Sequence, residues 1–186
     1  PRTKPPRSVE EGLWKRPTIL NNTETLANVP AIINRGGEWY SQIGTAKSAG
    51  TKLMTVQGPL KQVGLVEVPM GIPLGTIVHD LGGGIPNGKK FKAVQIGGPS
   101  GGCIPAEHLN TPVTYESLPQ LGAIMGSGGL IVMNEDTCMV DLARYFLEFI
   151  AEESCGKCTP CRVGTKMMLS LVNRICAGKG TMSDLQ

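Results

Sequence analysis

The 186-residue chain has little net charge: 18 Lys and Arg against 15 Asp and Glu leave +3. Its basic residues are scattered apart from Lys89-Lys90 and the first segment, so neither nucleic acid nor a membrane surface is an expected partner. No apolar run reaches the length of a bilayer span and no signal-peptide pattern opens the chain, so direct membrane insertion is not expected. Histidine is limited to His79 and His108, which leaves a cysteine nucleophile without a suitable partner in sequence. His79 stands beside Asp80 on a short helical pattern, where a surface or helix-end role is the commoner one. Aromatic residues make up only 4%, against 25 glycines and 14 prolines. That balance means many tight turns, with some loops shaped to touch a ligand or partner. The glycine run from Gly97 to Gly102 lacks the G-x-G-x-x-G order and does not clearly open a helix, which argues against a dinucleotide fingerprint.

What the chain does have is Glu153-Ser154-Cys155-Gly156-Lys157-Cys158-Thr159-Pro160-Cys161-Arg162-Val163-Gly164. Three cysteines at C-x-x-C-x-x-C spacing on a short polar loop can converge on one small volume. This is the usual opening of a cubane iron–sulfur site, with zinc as the nearest competitor. Thr159 as N-cap and Pro160 as first helical residue put Cys161 in a first helical turn. There the positive end of the helix dipole, with Lys157 and Arg162, favours thiolate and a negative cluster. A cubane held wholly by thiolates needs a fourth ligand. Cys176 lies along the same helix, about 22 Å from Cys161 at 1.5 Å per residue, and reads as packed among apolar neighbours. Cys138 reads as a small packed residue near a helix start. Cys103, on the glycine loop, is not excluded as a ligand by geometry, but inert packing is the base expectation for it as for Cys138.

The rest of the chain divides into three parts. Residues 1–51 hold a proline-rich connector, with Leu13-Trp14 as a possible anchor, and a helix from Thr23 capped by Asn22. Pro30 ends that helix or starts a second. Asn21, Asn22 and the free N–H groups of the helix form a polar cup that serves either as a cap or as a holder for a phosphate or flavin edge. Residues 52–110 read as a hairpin (53–58 and 65–69), an amphipathic helix on Leu74, Ile77, Val78 and Leu81, and a strand at 91–96, which suit a β-grasp unit. In residues 111–186 a last strand at 130–133 precedes two amphipathic helices flanking the cysteine loop. The first has its stripe on Val140, Ala143, Phe146, Leu147 and Ile150, the second on Val163, Met167, Leu171 and Ile175, with methionine read as core and Gly178 as the stop. The fold class is therefore α+β, a β-grasp module followed by a small helical bundle. Beginning at Pro1 and stopping at Gln186, the chain reads as a piece of a longer polypeptide.

On these residues the chain resembles the NADH-binding flavoprotein subunit of respiratory complex I and the equivalent subunits of NAD-linked hydrogenases and formate dehydrogenases. The resemblance rests on the lead-in 1–6, on Asn21-Asn22-Thr23-Glu24-Thr25-Leu26-Ala27-Asn28-Val29-Pro30, on the glycine loop 97–105, and on residues 153–164. It implies that NADH reduces FMN, which passes electrons singly to a [4Fe–4S] cluster. It implies Asn21, Asn22 and Thr25 as FMN contacts, and Cys155, Cys158 and Cys161 as three cluster ligands. It names the middle part a soluble-ligand-binding β-grasp. The family's nucleotide-binding domain, with most of the FMN site and the NAD(H) site, has no counterpart here. The family's fourth cysteine corresponds to a position after Gln186, and Cys176 does not match it. This chain alone is thus expected to be inactive and to work with other subunits of a redox complex, including a small thioredoxin-like iron–sulfur subunit, in the cytoplasm or on its membrane face. The alternative is a non-catalytic, zinc-binding interaction module.

Overall fold

The computed structural model describes residues 5–185; the start of the expected lead-in (residues 1–4) and Gln186 lie outside the described residues. In chain order the elements are α1 (Thr23–Arg35), α2 (Gly37–Ser41), β1 (Thr51–Gln57), β2 (Gly64–Pro69), a π-helical turn (Thr76–Leu81), β3 (Phe91–Ile96), β4 (Gly102–Pro105), α3 (Ser117–Gln120), β5 (Gly129–Asn134), α4 (Met139–Glu153), a second π-helical turn (Pro160–Gly164) and α5 (Thr165–Cys176). They separate into two compact units, Asn21–Thr137 and residues from Cys138 onward together with the first twenty.

The first unit is built on a five-stranded mixed sheet of order β2-β1-β5-β3-β4. β1 runs antiparallel to β2 and parallel to β5, while β3 runs antiparallel to both β4 and β5. β1 alternates, with Lys52, Met54 and Val56 buried and the intervening residues more exposed, the period-two pattern of a strand with one face inward. Leu74, Ile77 and Val78 bring their side chains into the same core as Ile96, Ile104, Leu118 and Leu130. The expected fourth member of their stripe, Leu81, stays 37% exposed, because the segment winds as a π turn and not at the α-helical period that the apolar spacing suggests.

The strand that completes the sheet, β5, lies beyond residue 110, the expected end of the β-grasp part. It sits in the middle of the sheet, between β1 and β3, so the sheet unit reaches Thr137. The glycine run also holds more than a loop: after a 3-10 turn at Gly98–Ser100 the chain enters β4, paired with β3. Glycine is required there by close approach, since a Cβ on Gly101 would lie 1.8 Å from the Ile96 carbonyl oxygen. Helix α1 runs unbroken through Pro30, whose missing N–H leaves the Leu26 carbonyl without its helical donor.

In the second unit α4 packs against α5. α5 ends as expected at Gly178 (φ +71°), where the Gly178 N–H donates to the Ile175 carbonyl and the Lys179 N–H to that of Arg174, a Schellman closure. The expected stripes are only partly inward. Leu142, Phe146, Leu147 and Ile150 of α4 are half-buried, as are Leu169, Leu171 and Ile175 of α5, but Ala143 and Val163 are exposed. Met167 is 62% exposed and is not core. Residues 7–18 form a hydrogen-bonded loop, with the Thr18 N–H on the Ser8 carbonyl (2.8 Å) and the Gly12 N–H on that of Arg16 (2.8 Å). Trp14, the possible anchor, is 83% exposed.

Candidate functional site

The cysteine loop starts where Ser154 leaves α4 in an extended conformation and turns at Gly156 (φ +73°). The Gly156 N–H donates to Ser154 Oγ at 3.2 Å, and the same oxygen lies 3.2 Å from Cys161 Sγ. Arg162 closes the loop from the far side. Its guanidinium donates to the carbonyls of Gly156 (2.7 Å) and Lys157 (3.4 Å) and to Thr159 Oγ1 (3.2 Å). The helical run begins one residue earlier than expected. Thr159 already has helical angles and makes no cap bond, and the Arg162 N–H donates to the Cys158 carbonyl at 2.9 Å. Cys158 thus holds the cap position, and Cys161 remains in the first turn. The Cys161 carbonyl takes both the backbone N–H and the hydroxyl of the buried Thr165.

All six cysteines are free thiols; Cys155 and Cys158 are exposed and Cys161 is half-buried. Among the described residues no three His, Cys, Asp or Glu side chains lie close enough together to hold a metal ion. The structure therefore places the three thiols on one short clasped loop without gathering their sulfurs. The donor chemistry fits a cluster nonetheless: three unpaired thiols, two of them open to solvent, stand beside Lys157 and Arg162 at a helix start. Of the other three cysteines, Cys138 and Cys176 depart from the packed positions expected of them, and Cys103 does not. Cys103 belongs to β4, half-buried, and its thiol donates to Gln95 Oε1 at 2.8 Å; burial pushes its pKa up, which disfavours thiolate. Cys138 is exposed at the N-cap position of α4, its carbonyl accepting from the Leu142 N–H at 3.0 Å. Cys176 is exposed at the end of α5, not packed among apolar side chains.

The expected flavin contacts gather at the start of α1. Asn22 caps the helix through Oδ1, which accepts the Glu24 N–H at 2.9 Å. Asn21, Asn22 and Thr25 are all exposed, and Thr25 also borders a cleft of about 250 Å³ with Asn28, Tyr40, Thr51, Lys52 and Tyr115. The exposed carboxamides, of which Asn22 keeps its NH2 unengaged by the cap, the hydroxyl and the remaining N–H groups of the first turn suit one wall of a flavin site. Sequence reasoning missed how this turn is held. Glu24 forms an ion pair with Lys52 and accepts the Leu53 N–H at 2.7 Å. A signal was there: a lysine in phase with buried Met54 and Val56 on a strand needs a partner.

Residues 141–186, which include the whole cysteine loop, match the family model described as the NADH-ubiquinone oxidoreductase-F iron-sulfur binding region. Over all of its length the chain is similar to F subunits of NADH-quinone oxidoreductases. It is 41% identical over 186 residues to the F subunit of the NADH-quinone oxidoreductase of Escherichia coli (strain K12), covering 100% of this chain and 42% of that protein. It is 55% identical over 185 residues to the NADP-reducing hydrogenase subunit HndC of Solidesulfovibrio fructosivorans, covering 38% of that protein. The crystal structure of an NAD+-reducing [NiFe]-hydrogenase in the H2-reduced state superimposes with a TM-score of 0.84 and 40% identity, over 100% of this chain and 30% of that one. The chain thus spans about two fifths of the curated relatives it matches, and its matched family model is an iron–sulfur one, which does not favour zinc.

Proposed function

We propose that this chain is part of an NADH:acceptor oxidoreductase, contributing one wall of an FMN site and three thiolates of a [4Fe–4S] cluster. The observation that carries this reading is the placement of Cys155, Cys158 and Cys161 on one loop, fastened by Arg162, inside the segment that matches the oxidoreductase-F iron–sulfur region. These residues would hold part of an FMN, which would supply hydride acceptance, and part of a [4Fe–4S] cluster, which would supply one-electron transfer. This chain's residues bind and orient. Asn21, Asn22 and Thr25 offer carboxamides and a hydroxyl to the flavin, and Asn22 at the same time holds the helix end to which it belongs. Cys155, Cys158 and Cys161 ligate iron, while Arg162 holds the loop carbonyls and Ser154 offers a hydroxyl to the Cys161 sulfur. Such outer contacts orient ligands and tune potential.

The nicotinamide site and the fourth cluster ligand belong to the longer protein. The sheet unit is a β-grasp of the soluble-ligand-binding kind, supported by parallel β1 and β5 side by side and antiparallel pairs on both flanks. The partners are other subunits of a redox complex, among them a small thioredoxin-like iron–sulfur subunit, with the assembly in the cytoplasm or on its membrane face. No helix of the described residues is long and apolar enough to cross a membrane. The test is anaerobic addition of NADH to the full-length protein. Bleaching of the flavin band with the appearance of a low-temperature EPR signal is expected, and the EPR signal should be missing in Cys158→Ser. A flavin-free protein with no EPR signal after chemical reduction would overturn the reading.

A further inference from the structure

The start of α1 carries an arrangement that neither capping nor the flavin wall accounts for. Lys52 is only 5% exposed, in phase with Met54 and Val56 on the inward face of β1. Its ammonium pairs with Glu24 Oε2, and Glu24 Oε1 accepts the Leu53 N–H at 2.7 Å. That N–H needs an acceptor for a topological reason. β5 registers with β1 only from Thr55, opposite Gly129, and the last bond on that edge runs from the Thr55 N–H to the Gly128 carbonyl at 2.9 Å. Two residues earlier the same edge of β1 has no neighbouring strand, and the Glu24 carboxylate stands where a strand carbonyl would. One carboxylate therefore satisfies both an open sheet edge and a buried cation. The Glu24 N–H in turn donates to Asn22 Oδ1. A continuous chain of bonds runs from the sheet through Glu24 to Asn22.

We propose that Glu24 is a positioning residue for flavin binding: its carboxylate, fixed to Lys52 and to the Leu53 N–H, sets where Asn22 and Thr25 stand. The inference rests on the flavin-wall reading of Asn21, Asn22 and Thr25 and goes beyond it by naming what holds that wall in register. Removing the carboxylate leaves Lys52 buried without a counter-ion and the Leu53 N–H without an acceptor, so the first turn of α1 loses its attachment to β1.

The experiment uses the full-length protein stripped of flavin and titrated with FMN, with binding read by quenching of flavin fluorescence. It is run at neutral pH and at a temperature where circular dichroism shows every variant folded. Four variants are compared: Glu24→Ala, Glu24→Gln, Asn22→Ala and Val94→Ala, the last a core truncation remote from α1. The expected result is an FMN affinity about tenfold weaker in Glu24→Ala, the effect of one charged, part-buried bond. Glu24→Gln keeps an oxygen for the Leu53 N–H and recovers part of that loss. Val94→Ala lowers the melting temperature while leaving FMN affinity within about twofold of the parent. FMN affinity that falls in step with melting temperature in Glu24→Ala and Val94→Ala alike would overturn the proposal, reducing Glu24 to a folding role. Parent-like binding in Glu24→Ala with weakened binding in Asn22→Ala overturns it too, and leaves the flavin wall standing. Parent-like binding in both overturns the flavin wall and the positioning role together.

Discussion

Between Asn21 and Thr137 the apolar residues bury one another, whereas from Cys138 onward they are at most half-buried. Met54, Leu74, Ile77, Val94, Ile96, Ile104, Leu118 and Leu130 are fully buried, and every buried apolar residue among those described belongs to the sheet unit. In the helical unit the buried residue is a threonine, Thr165, while Tyr145, Phe149, Val163, Met167 and Met168 are exposed. The sheet unit thus has the hydrophobic term that folds a domain. Beside its half-buried apolar contacts the helical unit carries polar ties: the Arg162 clasp, the Arg144 bridges to Asp141 and Glu148 within α4, and the Arg174–Asp184 pair. Units with too little core commonly draw folding energy from a bound metal centre or from neighbouring chain. The cysteine loop lies in the unit that needs it.

The largest expected break in this comparison is removal of iron. Chelation of the full-length protein under reducing conditions should abolish hydrogen-exchange protection in α4 and α5 and leave β1, β3 and β5 protected. Equal loss in both regions would contradict the division. Core truncation should separate the units next. Leu130→Ala is expected to cost about 2–5 kcal/mol, as for buried leucines elsewhere, while Met167→Ala stays within about 0.5 kcal/mol, both from denaturant melts of the sheet and helical signals. Arg162→Gln removes the clasp but no ligand, and should speed iron loss to a chelator about tenfold, the lower end for lost outer contacts at metal sites.

The smallest effect is acid sensitivity within the sheet unit. Burial pushes the Glu24 carboxyl up, but the Leu53 N–H and the Lys52 ammonium together outweigh it and hold its pKa below the ordinary value. A depressed folded-state pKa contributes stability that is present above the unfolded value and is lost as pH falls through the folded one. The melting temperature should therefore drop in acid less steeply in Glu24→Gln than in the parent, with no difference in slope near neutrality.

Much of this was legible from spacing. Short apolar or alternating runs marked β1, β2, β3 and β5 to within two residues, the Asn22 cap and the Gly178 stop were where their chemistry puts them, and the C-x-x-C-x-x-C loop announced itself. What spacing could not show was non-local. β5 looks like an isolated last strand until its pairing between β1 and β3 is known. β4 hides behind glycines that are there for backbone approach. The helical stripes suggest a finished bundle, because periodicity reports which face is apolar and not whether anything covers it. The Glu24–Lys52 tie joins residues 28 apart in sequence, beyond any local pattern.

The most direct test of the central claim is parallel iron, acid-labile sulfide and zinc analysis of the full-length protein purified without oxygen, beside its Cys155→Ser, Cys158→Ser and Cys161→Ser forms. The account predicts iron and sulfide in equal amounts, with about four of each lost per chain in every serine variant. Stoichiometric zinc without labile sulfide, or an unchanged iron content in all three variants, would contradict it.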